Sequence, residues 1–81
     1  MNVKVLFFAA AKDAVGTAAM DVVLPDEATV GQLKQTLLEQ HPGLLQLLSR
    51  STISVDQELA NNERILYHGA EVGVLPPASG G

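Results

Sequence analysis

The chain closes on V-L-P-P-A-S-G-G, residues 74–81, and the group there with chemistry to offer is the α-carboxylate of Gly81. A carboxylate is a poor electrophile until it is converted to an acyl-adenylate, whose nucleotide then leaves. A glycine acyl carbon gives the attacking group the least steric hindrance. Pro76 and Pro77 cannot continue a central strand or a helix, so the chain must leave the fold there as a stiff, extended arm. Fully extended, residues 76–81 reach up to about 20 Å. The arm narrows through Ala78, Ser79, Gly80 and Gly81, and backbone without side chains can enter a channel that would exclude them. Terminal glycines also occur as plain ends, so Gly80-Gly81 alone is weak evidence. The prolines and the taper move the balance toward a threadable arm with one activatable group. The chain has no cysteine, so any sulfur it passes on must sit on that terminus.

Other candidates for chemistry fare worse. His41 stands just before a proline at a helix end and His68 lies in a turn, neither with a partner at ligand spacing, so both read as surface residues. Asp26 with Glu27, and Asp56 with Glu58, are carboxylate pairs, but in an acidic domain a solvated surface is the simpler account. Ser49, Ser51, Ser54 and Ser79 lack a nucleophile-elbow motif. No glycine-rich phosphate loop joins a strand to a helix.

The elements that must hold the arm belong to one small domain, since the chain has 81 residues. Folding at this length buries about 60–70% of the surface of the unfolded chain. A hydrophobic fraction of 47% with 17% charged residues argues against disorder. Without cysteine, neither disulfides nor a Cys-ligated zinc can staple the fold. The formal net charge of −4, with the basic residues scattered, argues against nucleic-acid binding. The longest apolar run, residues 5–11, falls far short of the about 20 residues of a membrane span. No basic region leads into a signal-type segment, and the expected compartment is the cytoplasm.

N-V-K-V-L-F-F (2–8) reads as a strand whose alternation sends Val3, Val5 and Phe7 to one face and Lys4, Leu6 and Phe8 to the other. About one helical turn follows, stopped by Gly16. Residues 18–24 form a second strand, antiparallel to the first, with Met20, Val22 and Leu24 together on one face. Thr29 and Gln32 make a capping box for the main helix, whose apolar stripe is Val30, Leu33, Leu37 and Leu38. Pro42-Gly43 ends it, and residues 44–50 supply a short second helical piece. Residues 52–55 read as a strand, the stretch around Asn61-Asn62 as turns, 65–67 as a very short strand and 71–75 as the last strand. The expected core is Val3, Val5, Phe7, Met20, Val22, Leu24, Val30, Leu33, Leu37, Ile53, Val55, Val72 and Val74. This order predicts an α+β fold: a mixed four- or five-stranded sheet with the main helix packed on one face, the ubiquitin-like β-grasp. The domain spans residues 1–75 and the reactive tail residues 76–81.

If the first and last strands are neighbours, the outward sheet face brings Leu6 and Phe8 together with Leu75, with room for Val23 at its edge. One exposed apolar residue means nothing; several together mark a partner site.

Taken with these features, V-K-V-L-F-F-A, K-D-A-V-G-T, V-D-Q-E and E-V-G-V-L-P-P-A-S-G-G resemble the small-subunit family of molybdopterin synthase from end to end. The resemblance implies a ubiquitin-like sulfur carrier, not catalytic alone and holding no cofactor stably. Its terminal glycine, here Gly81 with Gly80 as small neighbour, is adenylated with ATP by a ubiquitin-activating-like enzyme and becomes a thiocarboxylate. The tail then enters the large synthase subunit and gives sulfur to cyclic pyranopterin monophosphate, forming the molybdopterin dithiolene, in a heterotetramer of two small and two large subunits. Partner-facing apolar positions fall near Phe8 and Leu75. The family commonly has D-G-D-E-V where this chain has His68-Gly69-Ala70-Glu71-Val72, and Val-Asn where it has Val55-Asp56. The rival readings are a carrier for thiamine thiazole synthesis or tRNA thiolation, a protein modifier joined to a target lysine, and a plain interaction domain.

Overall fold

The computed structural model describes residues 1–77. Five strands form one mixed sheet: β1 (Asn2–Phe7), β2 (Ala19–Val23), β3 (Thr52–Val55), β4 (Glu58–Ala60) and β5 (Glu71–Leu75), in the spatial order β2-β1-β5-β3-β4. β1 runs parallel to β5 at the centre, and the remaining pairs are antiparallel. The helices are α1 (Ala9–Val15), α2 (Val30–Gln40) and α3 (Leu45–Arg50), the last entered through a 3-10 turn at Pro42–Leu44. This is the ubiquitin-like β-grasp.

Alternation decides which sheet face is covered. Val3, Val5, Phe7, Val22, Ile53, Val55, Val72 and Val74 point inward and join Val30, Leu33 and Leu37 of α2 in one buried cluster. Ala11, Leu44 and Leu48 close it from α1 and the α3 segment. Every expected core residue is buried except Met20, which is only half-buried against the cluster because β2 is an edge strand.

α2 begins where the capping box requires. The Thr29 N–H donates to Gln32 Oε1 at 2.8 Å and the Gln32 N–H to Thr29 Oγ1 at 3.2 Å, so two otherwise orphaned donors are satisfied. His41 ends the helix ahead of Pro42, its N–H bonded to Leu37 O. α1 runs to seven residues rather than one turn and stops at Gly16, whose φ of 87° is left-handed, a conformation glycine adopts without steric cost.

One strand is not where the sequence pattern puts it. Residues 65–67 do not join the sheet; Ile65 makes an isolated bridge with Thr29. The Val30 N–H donates to Arg64 O and the Leu66 N–H to Ala28 O, so this segment braces the entry to α2. The fifth strand is β4, inside the stretch read as turns. Asp56 and Gln57, at φ 49° and 70°, make the tight turn from β3, as a two-residue hairpin with positive φ at both positions requires. The missing glycine hides it from the sequence.

Candidate functional site

The uncovered sheet face is built in rows. Register places Leu6 of β1 beside Gly73 of β5, Gly73 beside Ser54 of β3, and Ser54 beside Leu59 of β4. One step along, Leu75 pairs with Thr52, and Phe8 follows β1 at the same end with its N–H directed at Val74 O. Leu6, Phe8, Leu59 and Leu75 wall a groove of about 360 Å³, floored by Gly73 and Ser54. Gln57 and Glu71 also line it.

The structure thus brings together the three outward residues expected from alternation. Leu6 and Leu75 are half-buried, and Phe8 is 45% exposed. Val23 stands apart: it faces outward on the edge strand opposite Asn2 and does not line the groove. Leu59, 73% exposed, is the residue that sequence reasoning missed, because its strand was read as a turn. Only recognition of Asp56-Gln57 as a hairpin turn would have exposed it. Ser54 and Gly73 were assigned to strands, but nothing in their local pattern marks a floor.

Pro76 and Pro77 follow at this same end. Leu75 closes β5, Pro76 is half-buried against the fold and Pro77 is exposed. Proline has no N–H to extend a ladder, so sheet pairing stops at Leu75. The expected tail positions Ala78, Ser79, Gly80 and Gly81 lie outside the described residues.

His68, Asp56, Ser49 and Ser51 serve local structure. His68 Nδ1 accepts the Asn2 N–H at 3.0 Å. Asp56 Oδ1 accepts the Glu71 N–H at 3.1 Å, and the Asp56 N–H donates to Glu71 O, so the aspartate anchors the hairpin to the start of β5. Ala70 is fully buried, a position where a carboxylate would be costly to desolvate. Ser49 and Ser51 donate to backbone carbonyls of their own helix. Among the described residues no cluster of three or more His, Cys, Asp or Glu is placed to hold a metal, and no helix is long and apolar enough to cross a membrane.

Comparison with known proteins adds the following. The ThiS family model matches residues 5–81. The chain is 36% identical, over 83 aligned residues covering all of it and 99% of the relative, to the molybdopterin synthase sulfur carrier subunit of Caenorhabditis elegans. It is 39% identical to the protein of the same name in Caenorhabditis briggsae, again over its whole length and 99% of the relative. Among solved structures, SAMP1 of Haloferax volcanii superposes with a TM-score of 0.90 at 24% identity, both chains fully covered. That likeness is one of fold.

Proposed function

The chain belongs to the ThiS family, and from that membership we propose that it is the sulfur-carrier subunit of a molybdopterin synthase. The observation that carries the reading is the end-to-end match to relatives named as such carriers, at 36% and 39% identity. The groove and the proline-led arm beside it agree with the role: one surface to dock, one end to thread.

In this reading the Gly81 carboxylate attacks the α-phosphorus of ATP on an activating enzyme and pyrophosphate leaves. A hydrosulfide equivalent then attacks the acyl carbon and displaces AMP, leaving a thiocarboxylate and releasing a proton. The carrier docks on the large synthase subunit through Leu6, Phe8 and Leu75. Pro76, Pro77, Ala78, Ser79 and Gly80 carry the terminus into that subunit's active site. Sulfur passes to cyclic pyranopterin monophosphate and water restores the carboxylate. Two carriers and two large subunits make the working assembly. The carrier is the consumed and regenerated donor; the catalytic groups belong to its partners.

Intact-mass measurement after incubation with the activating enzyme, ATP and a sulfur source tests this directly. One oxygen of the chain is expected to be replaced by sulfur, and the product to drive dithiolene formation when the large subunit and pterin substrate are added. An unchanged mass under conditions that load a known carrier sinks the proposal. So does recovery of the chain as stable conjugates on target lysines with no thiocarboxylate.

A further inference from the structure

β2 is an edge strand whose outer side is open along part of its length. The Phe7 N–H donates to Ala18 O and the Leu24 N–H to Met1 O, and the register between them is unbroken. Antiparallel bonding alternates, so Ala18, Met20, Val22 and Leu24 turn their backbone groups toward β1. Ala19, Asp21 and Val23 turn theirs away from the sheet. Ala19 is served locally: the Thr17 hydroxyl donates to its carbonyl at 3.0 Å and faces its N–H at 3.5 Å. Asp21 and Val23 have no such partner among the described residues. Their backbone groups form a template for another strand. The side chains are equally incomplete, since Met20 is only half-buried beside the core and Val23 is 77% exposed.

We propose that a second copy of this chain pairs with this edge, antiparallel about a two-fold axis through Val22, joining two five-stranded sheets into one. Register selects the arrangement. A two-fold pairing centred on Asp21 sets acid against acid and asks Val23 to bond Ala19, whose groups Thr17 already holds. One centred on Val23 sets Asp21 opposite Pro25, which has no N–H. Centred on Val22, Asp21 of each copy exchanges both backbone bonds with Val23 of the other. Ala19 then falls opposite Pro25, whose carbonyl already accepts the Ala28 N–H, so neither residue is left wanting. On the inner face Met20 meets Leu24 of the second copy and gains the cover that an edge strand lacks. On the outer face Asp21 meets Val23, while each Asp21 stands beside Lys4 of its own β1. The two acids lie on a diagonal, not opposite one another. No groove residue comes from β2, so a paired chain keeps its groove open. So short an edge buries less than the about 1,200 Å² of a stable interface, and the pairing belongs to concentrated protein.

Sedimentation equilibrium of the full chain tests this over a dilution series reaching about 1 mM. The weight-average mass is expected to rise toward twice the single-chain value, and the Asp21 and Val23 amides to gain protection from hydrogen exchange as it does. Val23→Lys places a cation opposite Asp21 of the second copy and tightens the pairing by about threefold or more. Val23→Asp sets acid against acid and weakens it by a similar factor. Leu45→Lys and Leu45→Asp, at an exposed site on α3, change net charge equally and should stay within about twofold of wild type in physiological salt. A mass that remains at one chain throughout overturns the proposal. A Val23 series that moves no further than the Leu45 series, or association that leaves the Asp21 and Val23 amides unprotected, overturns it as well.

Discussion

Phe7 and Phe8 are chemically identical neighbours with opposite fates: one is 2% exposed in the core and the other 45% exposed over the groove. Strand alternation alone separates them. The consequence is a clean experiment, because a charge at Phe8 or Leu75 disturbs the outer face and spares the inner one. Phe8→Asp and Leu75→Asp are each expected to weaken binding to the large subunit by about thirtyfold or more, the loss typical of a central apolar anchor. Their circular dichroism and melting curves should remain close to wild type. Binding that is undiminished in both variants would place the interface elsewhere. Asp56 illustrates a different residue-scale rule. It takes up left-handed φ at the hairpin and its carboxylate accepts the Glu71 N–H, a position for which a short polar side chain is suited.

Among the elements, α2 and β5 divide the labour. α2 supplies Val30, Leu33 and Leu37 to the core and depends on its start being fixed. Thr29→Ala removes one half of the capping box and is expected to lower unfolding free energy by about 1 kcal/mol, read from the denaturant midpoint. An unshifted midpoint would mean that the bridge to Ile65 and the bonds from residues 64–66, rather than the cap, hold that end. β5 is central, pairing with β1 on one side and β3 on the other, and its residues alternate between core and groove. Pro76 therefore follows a strand with neighbours on both sides.

At the scale of the molecule, the buried cluster lies wholly between Val3 and Val74. All of its described members lie ahead of the tail, so the proposed sulfur chemistry on the tail predicts that stability and transfer are separable. Deleting Gly80 and Gly81 is expected to leave the melting temperature unchanged while abolishing thiocarboxylate formation. A fall in melting temperature, or retained transfer, would contradict that division. Among the described residues the helices pack on one sheet face and the groove on the other stays open, the arrangement that the proposed docking face and reactive end require.

Local patterns carried much of this protein. Period-two alternation in residues 2–8 and 71–75 named the core and the outward Leu6, Phe8 and Leu75, and Thr29 with Gln32 named a helix start, because each rule acts between residues a few positions apart. Pro76 and Pro77 announced the end of β5 at Leu75 through the bonds that proline cannot make. Strand order is another matter. That β1 lies beside β5, and that β4 rather than residues 65–67 supplies the fifth strand, depends on pairings between distant segments that no local period encodes. Only those pairings bring Leu59 across the sheet from Leu6 and set Gly73 against Ser54. The sequence by itself thus determined most of the strand and α2 positions that face the core, where α2 starts and that Leu6, Phe8 and Leu75 face outward; the tertiary structure alone decided that Leu59 joins them in one groove floored by Gly73 and Ser54, because that proximity is a product of sheet register.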